Sequence, residues 1–162
     1  MCQPPNDGDA RSSWISHKFK KPAVRYEIGI SIQSGDIVWA NGPWRAGRYV
    51  DITIFRLGRL KELLLEAGER AEADKGYRGE PEVIDLPDEG PSHLIGPKAR
   101  ARMRHETCNK RFKNWGCMAR SFRHGVALHS DCMHAITVLT QLSIENGEPL
   151  FYASFEAPEE EE

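Results

Sequence analysis

Residues 24–32 constrain the fold more than any other stretch. Val24, Tyr26, Ile28, Ile30 and Ile32 alternate with Arg25, Glu27, Gly29 and Ser31. A period of two sends alternate side chains to opposite sides of an extended chain, so this run specifies a strand with one apolar face. Gln33-Ser34-Gly35-Asp36 supplies turn chemistry, and Ile37-Val38-Trp39-Ala40 comes next. The pair reads as an antiparallel hairpin closed at Asn41-Gly42-Pro43. Its apolar face must be covered, so the rest of the chain has to provide a second layer.

Helical periods supply it. Asp51 opens a stretch in which Ile54, Leu57, Leu60 and Leu64 share a face, with Gly68 as the stop and Asp51 as an N-cap candidate. A second helix spans Ala99 to Gly116, with Ala101, Cys108, Phe112 and Trp115 on one side. A third runs from about Asp131 to Asn146, capped by Ser130, with Ala135, Val138, Leu139 and Leu142 as its apolar face. Between the first two helices lie a short strand ending near Asp74, a second at Val83-Ile84, and a loop over 85–97. This order predicts a mixed α/β domain. Residues 1–13 read as an irregular lead-in and 153–162 as an acidic tail. The 162 residues suffice for one domain with a real core.

The net charge of -2 conceals an asymmetry. From Lys98 to His124 nine Lys or Arg face a single acid, Glu106, whereas the five acids from Glu156 onward have no basic neighbour. Trp14 to Pro22 mixes aromatics with basic groups that include Lys18 and Lys20, a composition able to hold a phosphate backbone or to form an ordinary surface loop. The first residues lack the apolar core of a signal peptide, and no apolar run reaches membrane-spanning length. The four cysteines include no C-x-x-C pair, so reduced thiols inside the nucleus or cytoplasm, not secretion, are expected.

Two stretches carry candidate chemistry. Glu72-Ala73-Asp74-Lys75-Gly76-Tyr77-Arg78-Gly79 puts a carboxylate at a strand end before a glycine turn, a place suited to a hard cation and equally to turn capping. Glu106 lies on the second helix amid Arg102, Lys110 and Lys113, where i,i+4 ion pairs are the plain expectation. Cys108, Cys117, His129 and Cys132 are zinc-type ligands, but their C-x8-C-x11-H-x2-C spacing fits no compact zinc module. No G-x-G-x-x-G, P-loop or G-x-S-x-G motif occurs.

Ser16-His17-Lys18-Phe19-Lys20, Arg25-Tyr26-Glu27-Ile28-Gly29, Gly35-Asp36-Ile37-Val38-Trp39, Ala73-Asp74-Lys75-Gly76-Tyr77, Arg104-His105-Glu106-Thr107 and Gln141-Leu142-Ser143-Ile144-Glu145-Asn146-Gly147 succeed one another in order. Over about residues 14–152 this series resembles the DDE-type nuclease domain of Harbinger-like transposases. The resemblance implies a ribonuclease-H-like fold, a mixed sheet with flanking helices, and an Asp-Asp-Glu triad holding Mg²⁺ (or Mn²⁺) for cleavage or strand transfer of DNA. By motif, Asp74 corresponds to the second acid and Glu106 to the third, both as metal ligands and catalytic groups. Asp51 corresponds to an aspartate expected to be structural. Arg102, Lys110, Lys113, Lys18 and Lys20 are the expected DNA contacts, and a homo-oligomer or a separate DNA-binding protein the expected partner.

One departure matters. The family's first acid lies in an Asp-Gly-Thr-like strand shortly before the Trp-x-Ser-His-Lys-Phe segment, and here Asp7-Gly8-Asp9 lacks an apolar strand around it. In that fold the missing strand lies between the hairpin and the Asp74 strand, and each buried backbone group left unpaired there costs about 1–3 kcal/mol. The expectation is an N-terminally incomplete domain with impaired catalysis. The alternative is a domesticated, non-catalytic DNA-binding or protein-interaction module.

Overall fold

A computed structural model describes residues 10–87 and 95–150. The expected acidic tail and most of the 85–97 loop lie outside these residues. The chain is mixed α/β, and the hairpin forms as the alternation requires. β1 (Val24–Ile30) pairs antiparallel with β2 (Ile37–Arg45). The second strand does not stop at Asn41-Gly42-Pro43, as the turn-like composition suggested. It continues to Arg45, and the register slips between Arg25 and Glu27 to absorb an extra residue. Gly42 makes this bulge feasible: its φ is +145°, and a Cβ there would meet the Arg25 carbonyl oxygen at 2.8 Å.

Part of the lead-in is helical. α1 (Ala10–Trp14) ends on Trp14, which is buried beneath the Arg45 guanidinium, 5.0 Å from the ring centroid. The single helix expected from Asp51 to Gly68 is two, α2 (Asp51–Leu57) and α3 (Leu60–Ala67). The break falls at Gly58 and Arg59, the latter with φ +72°, and it turns Leu57 outward to 60% exposure. Gly68 ends α3 in the left-handed conformation, its N–H bonding to the Leu64 and Leu65 carbonyls. β3 (Ala71–Glu72) then pairs parallel with β4 (Ile84–Asp85). Arg70 fastens this pair by donating to the Asp85 carboxylate and to the Pro81 and Glu82 carbonyls.

Three helices complete the described chain: α4 (Ile95–Asn114), α5 (Gly116–Ala119) and α6 (Val126–Glu145). α4 begins earlier than expected and releases Trp115, which is 42% exposed, beyond its last turn. α6 starts at Val126, capped by Gly125 rather than by Ser130, and its inward stripe is His129, Met133, Ile136, Thr140 and Ile144. The face expected to be core is outside, with Val138 58% and Leu139 47% exposed.

The apolar interior is in two clusters. Cys108, Phe112, Met133, Ile136, Ile144 and Leu150 form one, covered by Tyr26, Ile28, Ile30 and Ile37 of the hairpin. Phe55, Val83, Ile84 and Leu86 form the other, under α2, α3 and β3. Each belongs to its own two-stranded sheet, β1–β2 or β3–β4. No helix among the described residues is long and apolar enough to cross a membrane.

Candidate functional site

Asp74 stands two residues beyond β3, where the extended chain meets a 3₁₀ turn over Lys75–Tyr77. Its Oδ1 accepts the Gly76 N–H at 2.7 Å, so the carboxylate caps that turn. A Cβ on Gly76 would lie 2.8 Å from Asp74 Oδ1 and 2.9 Å from Asp51 Oδ2, so the two carboxylates converge on the same point. Only glycine leaves that space open. Asp51 is the first residue of α2 rather than its cap, a position held by Val50. Its other oxygen receives the Arg25 guanidinium at 2.5 Å, tying β1 to α2 and neutralising one of the converging charges.

A third carboxylate closes this corner, and the sequence did not single it out. Glu27 is 4% exposed, its Oε2 accepting from Trp39 Nε1 at 2.9 Å and its Oε1 buried without a hydrogen-bond partner. Burial pushes the Glu27 carboxyl above its ordinary value, the Trp39 bond opposing the rise and the Asp51 charge adding to it. Tyr77 is also pushed up, first by burial and then by the charges of Glu27, Asp51 and Asp74. Its ring meets Phe55 edge-on at 5.9 Å. Alternation assigns Glu27 to the polar side of β1, and no local signal distinguishes a covered polar side from a solvated one.

Glu72, the other acid of the Asp74 stretch, faces α4. Its Oε2 lies 3.3 Å from Lys98 Nζ, its Oε1 is buried without a partner, and burial raises its pKa. The Arg102 charge, like that of Lys98, opposes that rise.

α4 is held to the hairpin by two residues next to Glu106 to which the sequence assigned no role. Buried Arg104 donates to the Ile32 carbonyl at 2.6 Å, and His105 Nε2 lies 3.0 Å from the Ile28 carbonyl. Glu106 is exposed and lines a shallow cleft of about 370 Å³ with Thr107, Lys110 and Lys113. The expected i,i+4 ion pairs to Arg102 and Lys110 do not form: among the described residues, Glu106, Lys110 and Lys113 make no ion pair within 4.0 Å. Lys18 and Lys20 are exposed on a loop clasped by Ser16 and Lys21, with Lys18 Nζ 5.5 Å from the Phe19 ring centroid.

The predicted site residues therefore occupy two features. Asp74 meets Asp51, with Glu27 and Tyr77 alongside, while Glu106 shares a cleft with Lys110 and Lys113. Among the described residues no three His, Cys, Asp or Glu side chains gather as metal ligands. Two of the four zinc-type residues have other work. Cys108 is fully buried, its thiol pushed up to about 11 by burial, and His129 Nδ1 lies 2.8 Å from the Tyr26 hydroxyl. No family model, curated protein or solved structure matches the chain.

Proposed function

We propose that this chain is a transposase-derived, DDE-type nuclease domain of ribonuclease-H-like fold that binds DNA and a divalent cation and by itself turns over little or not at all. The observation that carries the loss of turnover in this reading is the divided sheet, and the approach of Asp51 to Asp74 at Gly76 supports the cation site. The fold implied by the resemblance puts a strand between the hairpin and the Asp74 strand. Here β1–β2 and β3–β4 are separate sheets with separate apolar clusters.

The donors at Asp74 suit Mg²⁺ or Mn²⁺. Magnesium is commonly held by one or two carboxylates, with water and substrate oxygens completing its shell. Asp74 and Asp51 converge as such a pair, and Glu106 is the acid that the motif adds. Two-metal phosphodiester chemistry holds ions about 3.5–4 Å apart and needs more carboxylates than converge here. A bound cation would supply Lewis-acid activation of the phosphodiester. The chain's own part is to present Lys110, Lys113, Arg102, Lys18 and Lys20 to phosphates and Asp74 and Glu106 to the metal. Contacts of that kind position DNA without reading its sequence.

The second reading, a non-catalytic DNA-binding or protein-interaction module, is favoured by the Gly76 N–H that already occupies Asp74 Oδ1. Supercoiled plasmid incubated with the full chain and Mg²⁺ or Mn²⁺ tests both. The expected result is no nicking above background, with DNA binding that weakens steeply as salt rises. Mg²⁺-dependent nicking that disappears in Asp74→Asn would show an active enzyme. Binding indifferent to salt would remove the DNA reading. A cation that raises the melting midpoint of the wild type but not of Asp74→Asn separates the metal-binding reading from the module.

A further inference from the structure

The path of the chain beyond α6 bears on the exposed lysines of α4. After Gly147, with φ +99°, the chain runs back along α4. Arg111 donates to the Glu148 carbonyl at 2.6 Å and to the Pro149 carbonyl at 2.9 Å. Leu150 is buried in the cluster that contains Cys108 and Phe112. The chain is thus fastened to α4 by Arg111, the immediate neighbour of Lys110 and two residues before Lys113. The sequence beyond Leu150 ends in an acidic run: Glu156 and Glu159, Glu160, Glu161 and Glu162 are five acids without a basic residue among them.

We propose that the acidic run 156–162 docks on Lys110 and Lys113 of its own α4 and so competes with nucleic-acid phosphate for them. This regulatory contact rests on the DNA-binding reading above. Reach permits it. Twelve residues from Leu150 to Glu162 extend up to about 40 Å at 3.3 Å each, whereas α4, at 20 residues, is about 30 Å long. Charge favours it, because both ammonium groups are exposed and lack a carboxylate partner among the described residues. Glu106 in the same cleft opposes the run, but two lysines outweigh one acid. Tethering raises the local concentration of the run to the millimolar range, so individually weak pairs suffice. Screening over about 8 Å at physiological salt makes the contact strongest at low ionic strength.

The test uses the full chain and a full-length variant with Glu159, Glu160, Glu161 and Glu162 each changed to Gln. Zero-length carbodiimide cross-linking with peptide mapping reads the contact, and titration of a short duplex DNA at low salt reads the competition. Cross-links from Lys110 or Lys113 to the acidic run within one chain, unchanged on dilution, are expected. The variant is expected to bind the duplex about tenfold more tightly, a gain lost when Lys110→Gln and Lys113→Gln are added. Absence of those cross-links, or cross-links only between chains that grow with concentration, would overturn the proposal. If the cross-links stand and neither form binds duplex, docking holds and the DNA reading fails. If both forms bind duplex equally and no cross-link forms, docking fails and the DNA reading stands.

Discussion

At Glu27, burial and charge pull against each other. The carboxylate accepts from Trp39 at 2.9 Å, Asn41 and Tyr77 also favour its charged form, and burial and the charge of Asp51 oppose it. Its folded-state pKa is raised above 4.5, so the stability it contributes is present below that value and lost as pH rises through the folded-state pKa. Glu27→Gln keeps the acceptor for Trp39 and removes the buried charge. Urea denaturation at neutral pH is expected to show the variant about 1 kcal/mol more stable, the difference closing below pH 4.5. His129 has the opposite sign. Burial holds it neutral with a pKa below 6.5, so its contribution is present above 6.5 and lost as pH falls further. His129→Gln should flatten the acid limb of the same profile. The sequence disclosed Asp74 but not Glu27, for a physical reason. A strand end before a glycine turn is a local pattern, whereas the covering of β1's polar side by Trp39 and Tyr77 is tertiary.

Elements were legible where one stripe of residues decided their direction. The hairpin is dictated by period two alone, and α3 ends at Gly68 as its left-handed conformation requires. α6 carries two apolar stripes, and periodicity cannot choose between them. Met133, Ile136 and Ile144 won because Cys108, Phe112 and the apolar face of β1 complement them, leaving Val138, Leu139 and Leu142 in solvent. Equilibrium unfolding of two variants tests that choice. Ile136→Ala is expected to cost about 2–5 kcal/mol as a core truncation, and Leu139→Ala at most about 0.5 kcal/mol as a surface change. Equal costs would mean that both stripes are buried in solution. The split of the Asp51–Gly68 stretch was hidden for a related reason, because Ile54, Leu57, Leu60 and Leu64 keep helical spacing through a break that only Arg59's positive φ reveals.

Across the whole molecule, two small sheets over two apolar clusters are joined largely by polar links. Arg25 to Asp51 ties β1 to α2, and Glu72 to Lys98 ties β3 to α4. The partly exposed Arg25–Asp51 pair contributes little, typically about 0–1 kcal/mol, and for the largely buried Glu72–Lys98 pair the cost of desolvation offsets much of the attraction. Burial of apolar surface stabilises more, and much of it lies within the two clusters, although Ile54 of α2 is buried outside both. The two halves should therefore open separately. Phe55 is fully buried at the centre of the β3–β4 cluster, and Phe55→Ala is expected to cost about 3–5 kcal/mol. That is a large share of the roughly 5–15 kcal/mol that usually holds a domain together. Native-state hydrogen exchange should locate the loss. Protection should fall first in α2, α3, β3 and β4, while amides of α4 and α6 around Cys108, Phe112 and Met133 keep theirs. A uniform fall across both clusters would mean that the halves fold as one unit. The same division bears on function, since Asp51 and Asp74 belong to the Phe55 half and Glu106 to the Cys108 half. An acid pair and a third acid carried on separately opening halves are not held at fixed spacing. Metal chemistry needs that spacing, whereas phosphate binding by the lysines of a single helix does not.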